Sequence, residues 1–276
     1  MKHDVKFGCA KLLNFALIKS EKKTNRMARI FMIGAGNVAT HLSQALQKNG
    51  HEITQVYSKT QSNAISLSEK LGCSYTNELH NIDPCDIAII AVKDDVINEV
   101  ASLLNCRIPI VHTSGTKDLA ILGKGVIGVF YPLQTFSKNK IVDFQNIPIC
   151  IEANNSKFLQ FLNNIANSIS NNVHQLSSEQ RNYLHLSAVM VNNFSNLMYQ
   201  MATEICEKNK ISFDLLKPLI RETSNKVQQM TAIETQTGPA RRKDVQTIER
   251  HLTLLDTDKE KRKIYEILTE SILNRS

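Results

Sequence analysis

"IFMIGAGNVATHL", residues 30–42, decides the fold. An apolar run stops at two glycines one residue apart, Gly34 and Gly36, and an amphipathic pattern follows at once. Gly34 permits a tight turn that a side chain would obstruct, and Gly36, lacking a Cβ, lets a diphosphate approach the main chain. A helix starting there presents unpaired N–H groups and the positive end of its dipole, so Asn37 and Val38 join the glycines as expected phosphate contacts. Ala39 fills the third position, where close helix–strand packing is needed and alanine is accepted. The same letters also describe a plain tight turn, and their weight comes from lying at the first strand of an alternating pattern.

That pattern runs to about residue 176. Strands are expected at 29–33, 52–57, 86–92, 108–112, 126–131 and 147–151, with helices near 37–49, 61–71, 94–104 and 156–169. Alternation of this kind predicts a mostly parallel sheet covered on both faces. From Ser178 to about Lys208 no breaker intervenes, which gives a helix of roughly 45 Å at 1.5 Å per residue. Helical segments follow near 212–235, 240–254 and 257–273. The expected architecture is α/β: a Rossmann-type domain over 27–176 followed by an all-α domain over 177–276. Residues 1–26 read as a basic tail or a mis-assigned start, because "MARIFMIGAG" at Met27 runs straight into the first strand.

Ligands gather at the carboxyl ends of strands in such sheets. The second strand ends in Tyr57, Ser58, Lys59 and Thr60, with no carboxylate to hold ribose hydroxyls. Hydroxyls and the cation of Lys59 suit a 2′-phosphate, so NADP is favoured at Ser58 and Lys59 and NAD stays open. Val92 and Lys93 end the next strand, where backbone can pass beside a ribose. "HTSGT", residues 112–116, places Ser114 and Gly115 among small donors suited to an oxygen-bearing substrate, or simply in a polar turn.

Charge argues against nucleic acid. Of the net +7, +5 lies in residues 1–26, leaving +2 for the other 250 residues. No apolar run is long enough to span a bilayer. The six scattered cysteines (Cys9, Cys73, Cys85, Cys106, Cys150, Cys206) lack metal-ligand spacing and read as reduced thiols of a cytoplasmic protein with no metal.

"GAGNVATHL", "AVKDDVI", "HTSGT", "FYPLQTFS", "YLHLSAVMVNNF" and "TGPARRKDVQTIERHL" together resemble the Rossmann-like bacterial proteins whose helical domain is domain of unknown function 2520. The resemblance covers residues 28–270. That family is similar to the β-hydroxyacid dehydrogenases and pyrroline-5-carboxylate reductases. It implies an NADP-dependent oxidoreductase acting on a small molecule, with a helical domain that forms a homodimer, and it implies no particular substrate. Two departures stand out: many relatives carry histidine at the position of Tyr131, and often glycine at that of Lys243.

Reduction of a C=O or C=N group needs placement, a polarising donor and a proton source. Along the long helix Leu186, Met190, Phe194, Leu197, Met201 and Ile205 form an apolar stripe, and Asn193 falls within it. A buried amide there would face something polar, so Asn193 is expected against the nicotinamide or a substrate amide. His185 is expected as general acid. The two lie roughly 12 Å apart along the axis and cannot share one carbonyl oxygen. Arg242 is a candidate clamp for a substrate carboxylate, or the partner of Asp244 in a structural ion pair. The reading is a reductase of a small keto acid or cyclic imine acid. Its alternative is an inactive NADP(H)-binding sensor.

Overall fold

The computed structural model describes residues 27–104, 108–137, 140 and 142–275. The segment 1–26, with the expected basic tail, lies outside them. The chain divides into two compact units, the first ending at Leu186 and the second beginning at Ser187.

The first unit is one eight-stranded sheet with the order β3-β2-β1-β4-β5-β6-β7-β8. The strands are β1 (Arg29–Ile33), β2 (Glu52–Tyr57), β3 (Ser74–Thr76), β4 (Ile87–Ile90), β5 (Ile110–His112), β6 (Ile127–Pro132), β7 (Ile149–Ala153) and β8 (Val173–Gln175). All neighbours pair parallel except β6 and β7. Helices α1 (Asn37–Lys48), α2 (Gln61–Leu71), α3 (Ile97–Leu103) and α4 (Ser156–Ile169) are crossover segments of this unit. The chain moves outward from β1 through β2 to β3, then returns to lay β4 on the other side of β1. The strand order therefore reverses at the β1/β4 seam, where open α/β sheets form a ligand crevice.

Central strands covered on both faces must be apolar at every position. Residues 30–33 and 87–90 are all fully buried. Ile30, Met32, Ile87 and Ile89 pack with residues of α1, α2 and α4, while Phe31, Ile33, Ala88 and Ile90 pack with α3. The period-2 alternation thus feeds two cores. Two edge strands, β3 and β8, were not expected: each is three residues long and partly polar, so no periodic signal develops.

Helix α5 (Ser178–Ala188) is fastened to the sheet by a buried ion pair. Arg181, 1% exposed, donates from Nη1 to Glu152 of β7 at 2.5 Å and from Nη2 to the Lys117 carbonyl at 2.5 Å. Ser178 donates to the same carboxylate through its backbone N–H (3.0 Å) and its hydroxyl (2.8 Å). Its hydroxyl also accepts the Leu119 amide at 3.0 Å. One carboxylate thereby holds the first turn of α5, and Arg181 links that turn to the loop after β5.

The second unit is helical. A π-helical stretch, Val189–Phe194, precedes α6 (Ser195–Lys208), α7 (Lys217–Gln229), α8 (Ala232–Thr235), α9 (Val245–Leu254) and α10 (Lys259–Leu273). The expected helix over 212–235 is divided because Thr231 and Glu234 form a capping box that starts α8. The expected helix at 240–254 begins only at Val245, capped by Asp244, which accepts from Thr247 N–H (3.1 Å) and hydroxyl (2.8 Å). The apolar stripe is also not buried within this chain: Leu186, Met190, Phe194, Leu197 and Ile205 are exposed. Among the described residues, no helix is long and apolar enough to cross a membrane.

Breaking a buried ion pair leaves one charge desolvated without its partner, at a cost of about 3–5 kcal/mol. Arg181→Met and Glu152→Gln should each lower the urea-unfolding free energy by that order. The double variant should lose less than the sum of the two, because the remaining charge is gone.

Candidate active site

At the β1/β4 seam Gly34 has φ +122°, and a Cβ there would collide with the Ala91 carbonyl oxygen and lie 2.9 Å from its carbon. Glycine is required twice over, by dihedral and by space. Gly36 differs. It is the N-cap of α1, no side chain caps that terminus, and a Cβ built on it meets nothing within 4 Å. The bare backbone, uncapped N–H groups of Asn37, Val38 and Ala39, and open space suit the diphosphate of a dinucleotide. The absence of acidic residues in the first turn of α1 agrees with this.

Other expected contacts surround the seam. The Val92 side chain lies 3.5 Å from that same Cβ position of Gly34, and Lys93, exposed, caps a 3-10 turn at Asp94–Val96. Ser58 is half-buried and Lys59 exposed at the carboxyl end of β2. The Thr60 hydroxyl makes no capping bond to α2. Asn37 already has work: its amide donates to the Phe136 carbonyl at 2.9 Å. One turn on, His41 Nε2 lies 2.9 Å from the Ser137 carbonyl and its ring stacks on Phe136 at 5.3 Å. The segment after β6 is strapped to the helix that begins at the phosphate turn.

Two strands along, Ser114 turns out to organise its loop. Its hydroxyl donates to Asp94 (2.8 Å) and accepts the N–H groups of Thr116 (3.1 Å) and Lys117 (3.0 Å). Thr116 donates to the same Asp94 oxygen at 2.7 Å. Its proton and lone pairs are thus engaged within the loop, which Ser114 holds in shape. His112, fully buried, accepts the Ser114 amide at Nδ1 (3.1 Å). Burial, helped by the nearby Arg181 charge, brings its pKa down to about 4, so it stays neutral near pH 7.

Beside this loop the structure assembles a pair that neither residue type announced. The Tyr131 hydroxyl of β6 lies 3.0 Å from His185 Nδ1 on α5. Gly115 makes room for them: a Cβ there would strike the imidazole and lie 2.9 Å from Tyr131 Cζ. His185 is four residues after Arg181, on the same helix face, so the buried ion pair aims it. Burial pushes the Tyr131 phenol up to about 12. Sequence reasoning undervalued Tyr131, although its departure from histidine was the available signal, and it overlooked Asp94, Glu152 and Arg181.

The remaining candidates lie in the second unit. Asn193 is exposed in the π-helical stretch, not buried as expected. Arg242 is exposed and forms no ion pair among the described residues, so the expected bridge to Asp244 is absent. Lys243 has φ +57°, a left-handed backbone conformation that favours glycine. No group of three or more metal-ligating side chains occurs among the described residues.

A reversed strand order over a glycine turn, with a tyrosine near the end of β6 paired to a histidine of α5, defines a dinucleotide-binding oxidoreductase of Rossmann type. Residues 147–272 match the model of domain of unknown function 2520, and residues 29–110 match that of coenzyme F420-dependent NADP oxidoreductases. A solved structure from Bacteroides fragilis, provisionally assigned as an NADP oxidoreductase, is 39% identical, with 91% of this chain and 100% of that chain covered and a TM-score of 0.84. A Thermotoga maritima protein is 22% identical over 89% of this chain and 97% of its own, TM-score 0.70. Pyrroline-5-carboxylate reductase from Streptococcus pyogenes is 15% identical over 91% and 100%, TM-score 0.61. The last two share the fold. No protein of curated function matches the sequence. The chain belongs to the family of NADP oxidoreductases that join a Rossmann-like domain to domain of unknown function 2520.

The two glycines should separate folding from binding. Gly34→Ala should lower unfolding stability markedly, whereas Gly36→Ala should change it by less than about 1 kcal/mol. Gly36→Ala should nonetheless weaken NADPH binding by calorimetry at least tenfold, or about 1.4 kcal/mol.

Proposed function

We propose that this protein reduces the C=O or C=N group of a small keto acid or cyclic imine acid with NADPH. The Tyr131–His185 pair carries the reading, because it sets a proton donor against Gly115 in the loop after β5, at the edge of the sheet where the parallel strands β1, β4, β5 and β6 all end. Bound NADPH would supply the hydride; Gly34, Gly36, Asn37 and Val38 would hold its diphosphate, Ser58 and Lys59 its 2′-phosphate, and Val92 and Lys93 its ribose. NADPH rather than NADH follows from the lack of a carboxylate after β2.

His185 gives a proton to the substrate heteroatom. Gly115 leaves the space beside it, and Ser114, through Asp94, holds that loop in shape. Asn193 is assigned to the nicotinamide carboxamide or a substrate amide, and Arg242, which forms no salt bridge among the described residues, to the substrate carboxylate. Proteins of the same fold lend support: an imine reductase from Myxococcus stipitatus in complex with NADP+ and a reductive aminase from Aspergillus terreus in complex with NADPH and ethyl-5-oxohexanoate. The bare sensor reading has no use for a histidine aimed by a buried ion pair.

The second unit pairs with that of a second copy. Met190, Val191, Phe194 and Leu197 present contiguous exposed apolar side chains, Phe194 being 52% exposed, and a lone soluble chain would leave this surface wetted. Phe194→Asp should shift sedimentation from dimer to monomer; a wild-type protein that sediments as a monomer at micromolar concentration removes the pairing.

A lost general acid costs typically about 10²–10⁴ in rate. Replacing His185 with glutamine should cut turnover of NADPH, followed with a panel of keto and imino acids, by about that factor while leaving NADPH affinity unchanged. Undiminished turnover refutes the assignment, and tight NADPH binding without turnover of any acid favours the sensor.

A further inference from the structure

The Tyr131–His185 contact has a direction. Tyr131 is 8% exposed, and among the described residues the partner of its hydroxyl is His185 Nδ1 at 3.0 Å. A buried phenolic proton needs an acceptor. Were the imidazole proton on Nδ1, it would point at the phenol oxygen and leave the phenolic proton with nothing to accept it. With Nδ1 bare, the phenol donates to it, and the imidazole carries its proton on Nε2 at the far side of the ring.

We infer that Tyr131 is a positioning residue for the reduction, holding His185 as the Nε2–H tautomer and passing its own proton to Nδ1 as Nε2 gives one up. The inference rests on the reading of His185 as the proton donor. When hydride adds to the substrate carbon, the π electron pair moves to the oxygen or nitrogen, which bonds the Nε2 proton. Nδ1 takes the phenolic proton, so the imidazole stays neutral, and Tyr131 is left as phenolate until solvent returns a proton. The phenol is held up to about 12 mainly by burial, so it remains protonated through neutral and mildly alkaline pH, yet it is a stronger acid than an aliphatic alcohol. The titratable and charged groups that act on the phenol are Cys150 of β7, Arg181 of α5 and Asp94 from the turn after β4. Arg181 alone brings a fixed positive charge, which favours the phenolate. Gly115 leaves the rings no slack, since even a methyl group would push them apart.

The relay has a signature that a packing role for Tyr131 lacks. Neutral His185 refilled from a phenol works above the pH at which an imidazolium is depleted, whereas an imidazole without the phenol must be protonated first. Wild-type kcat should vary little between about pH 6 and 9. Tyr131→Phe should lose at least about tenfold in kcat at pH 8, with a further tenfold fall per pH unit above it and KM for NADPH unchanged. Tyr131→His, which restores a ring able to donate to Nδ1, should recover most of the loss.

Long-range 15N–1H spectra of ligand-free protein labelled at histidine, with His185 assigned by the His185→Gln variant, give an independent readout. They should show Nε2–H in the wild type and both tautomers in Tyr131→Phe. A wild-type spectrum with Nδ1–H overturns the proposal whatever turnover does. A Tyr131→Phe enzyme with the wild-type pH profile overturns the relay. Undiminished turnover in His185→Gln overturns the underlying reading, and Tyr131's catalytic part with it, even where the spectrum shows Nε2–H.

Discussion

The pairing of Arg181 with Glu152 is the constraint on which the rest of the site depends. An arginine 1% exposed is costly unless its charge and its donors are met, and here a carboxylate, a carbonyl and a hydroxyl meet most of them. The Nε–H finds no partner. Such an arrangement stabilises little against an apolar replacement of both residues. What it provides is uniqueness: the first turn of α5 has one place to sit, over β7 and against Lys117. One helical turn later that fixed phase becomes the position of His185.

From there the chemistry follows by proximity. The loop after β5 is held from below by Arg181 and from the side by Asp94, through Ser114 and Thr116. It places a glycine where the two rings meet. Residues that resemble reactants in sequence, such as Ser114, are spent on building this surface, while Tyr131, lying in a strand fully buried along its length, reaches the imidazole.

The fold was legible because the central strands must be apolar on both faces, and runs such as Ile30–Ile33 cannot hide. Helix α2 fell on its expected span for the same reason, its period standing out between Thr60 and Gly72. Edge strands β3 and β8 have one covered flank and three residues, so they leave no pattern. The glycine turn after β1 was legible because Gly34 answers to local geometry. The ion pair and the tyrosine–histidine contact join residues 29 and 54 positions apart, and nothing in a single sequence links them. The stripe containing Phe194 was seen, but its burial was misjudged because periodicity reports an apolar face and not what covers it.

The strap from β6 back to α1 ties two tasks to one segment. Asn37 and His41 hold Phe136 and Ser137, and the same short stretch begins at Tyr131. The glycine turn that opens α1 and the strand that carries Tyr131 therefore share a common beam. A lineage retuning this loop for a new metabolite would disturb its hold on the coenzyme in the same step.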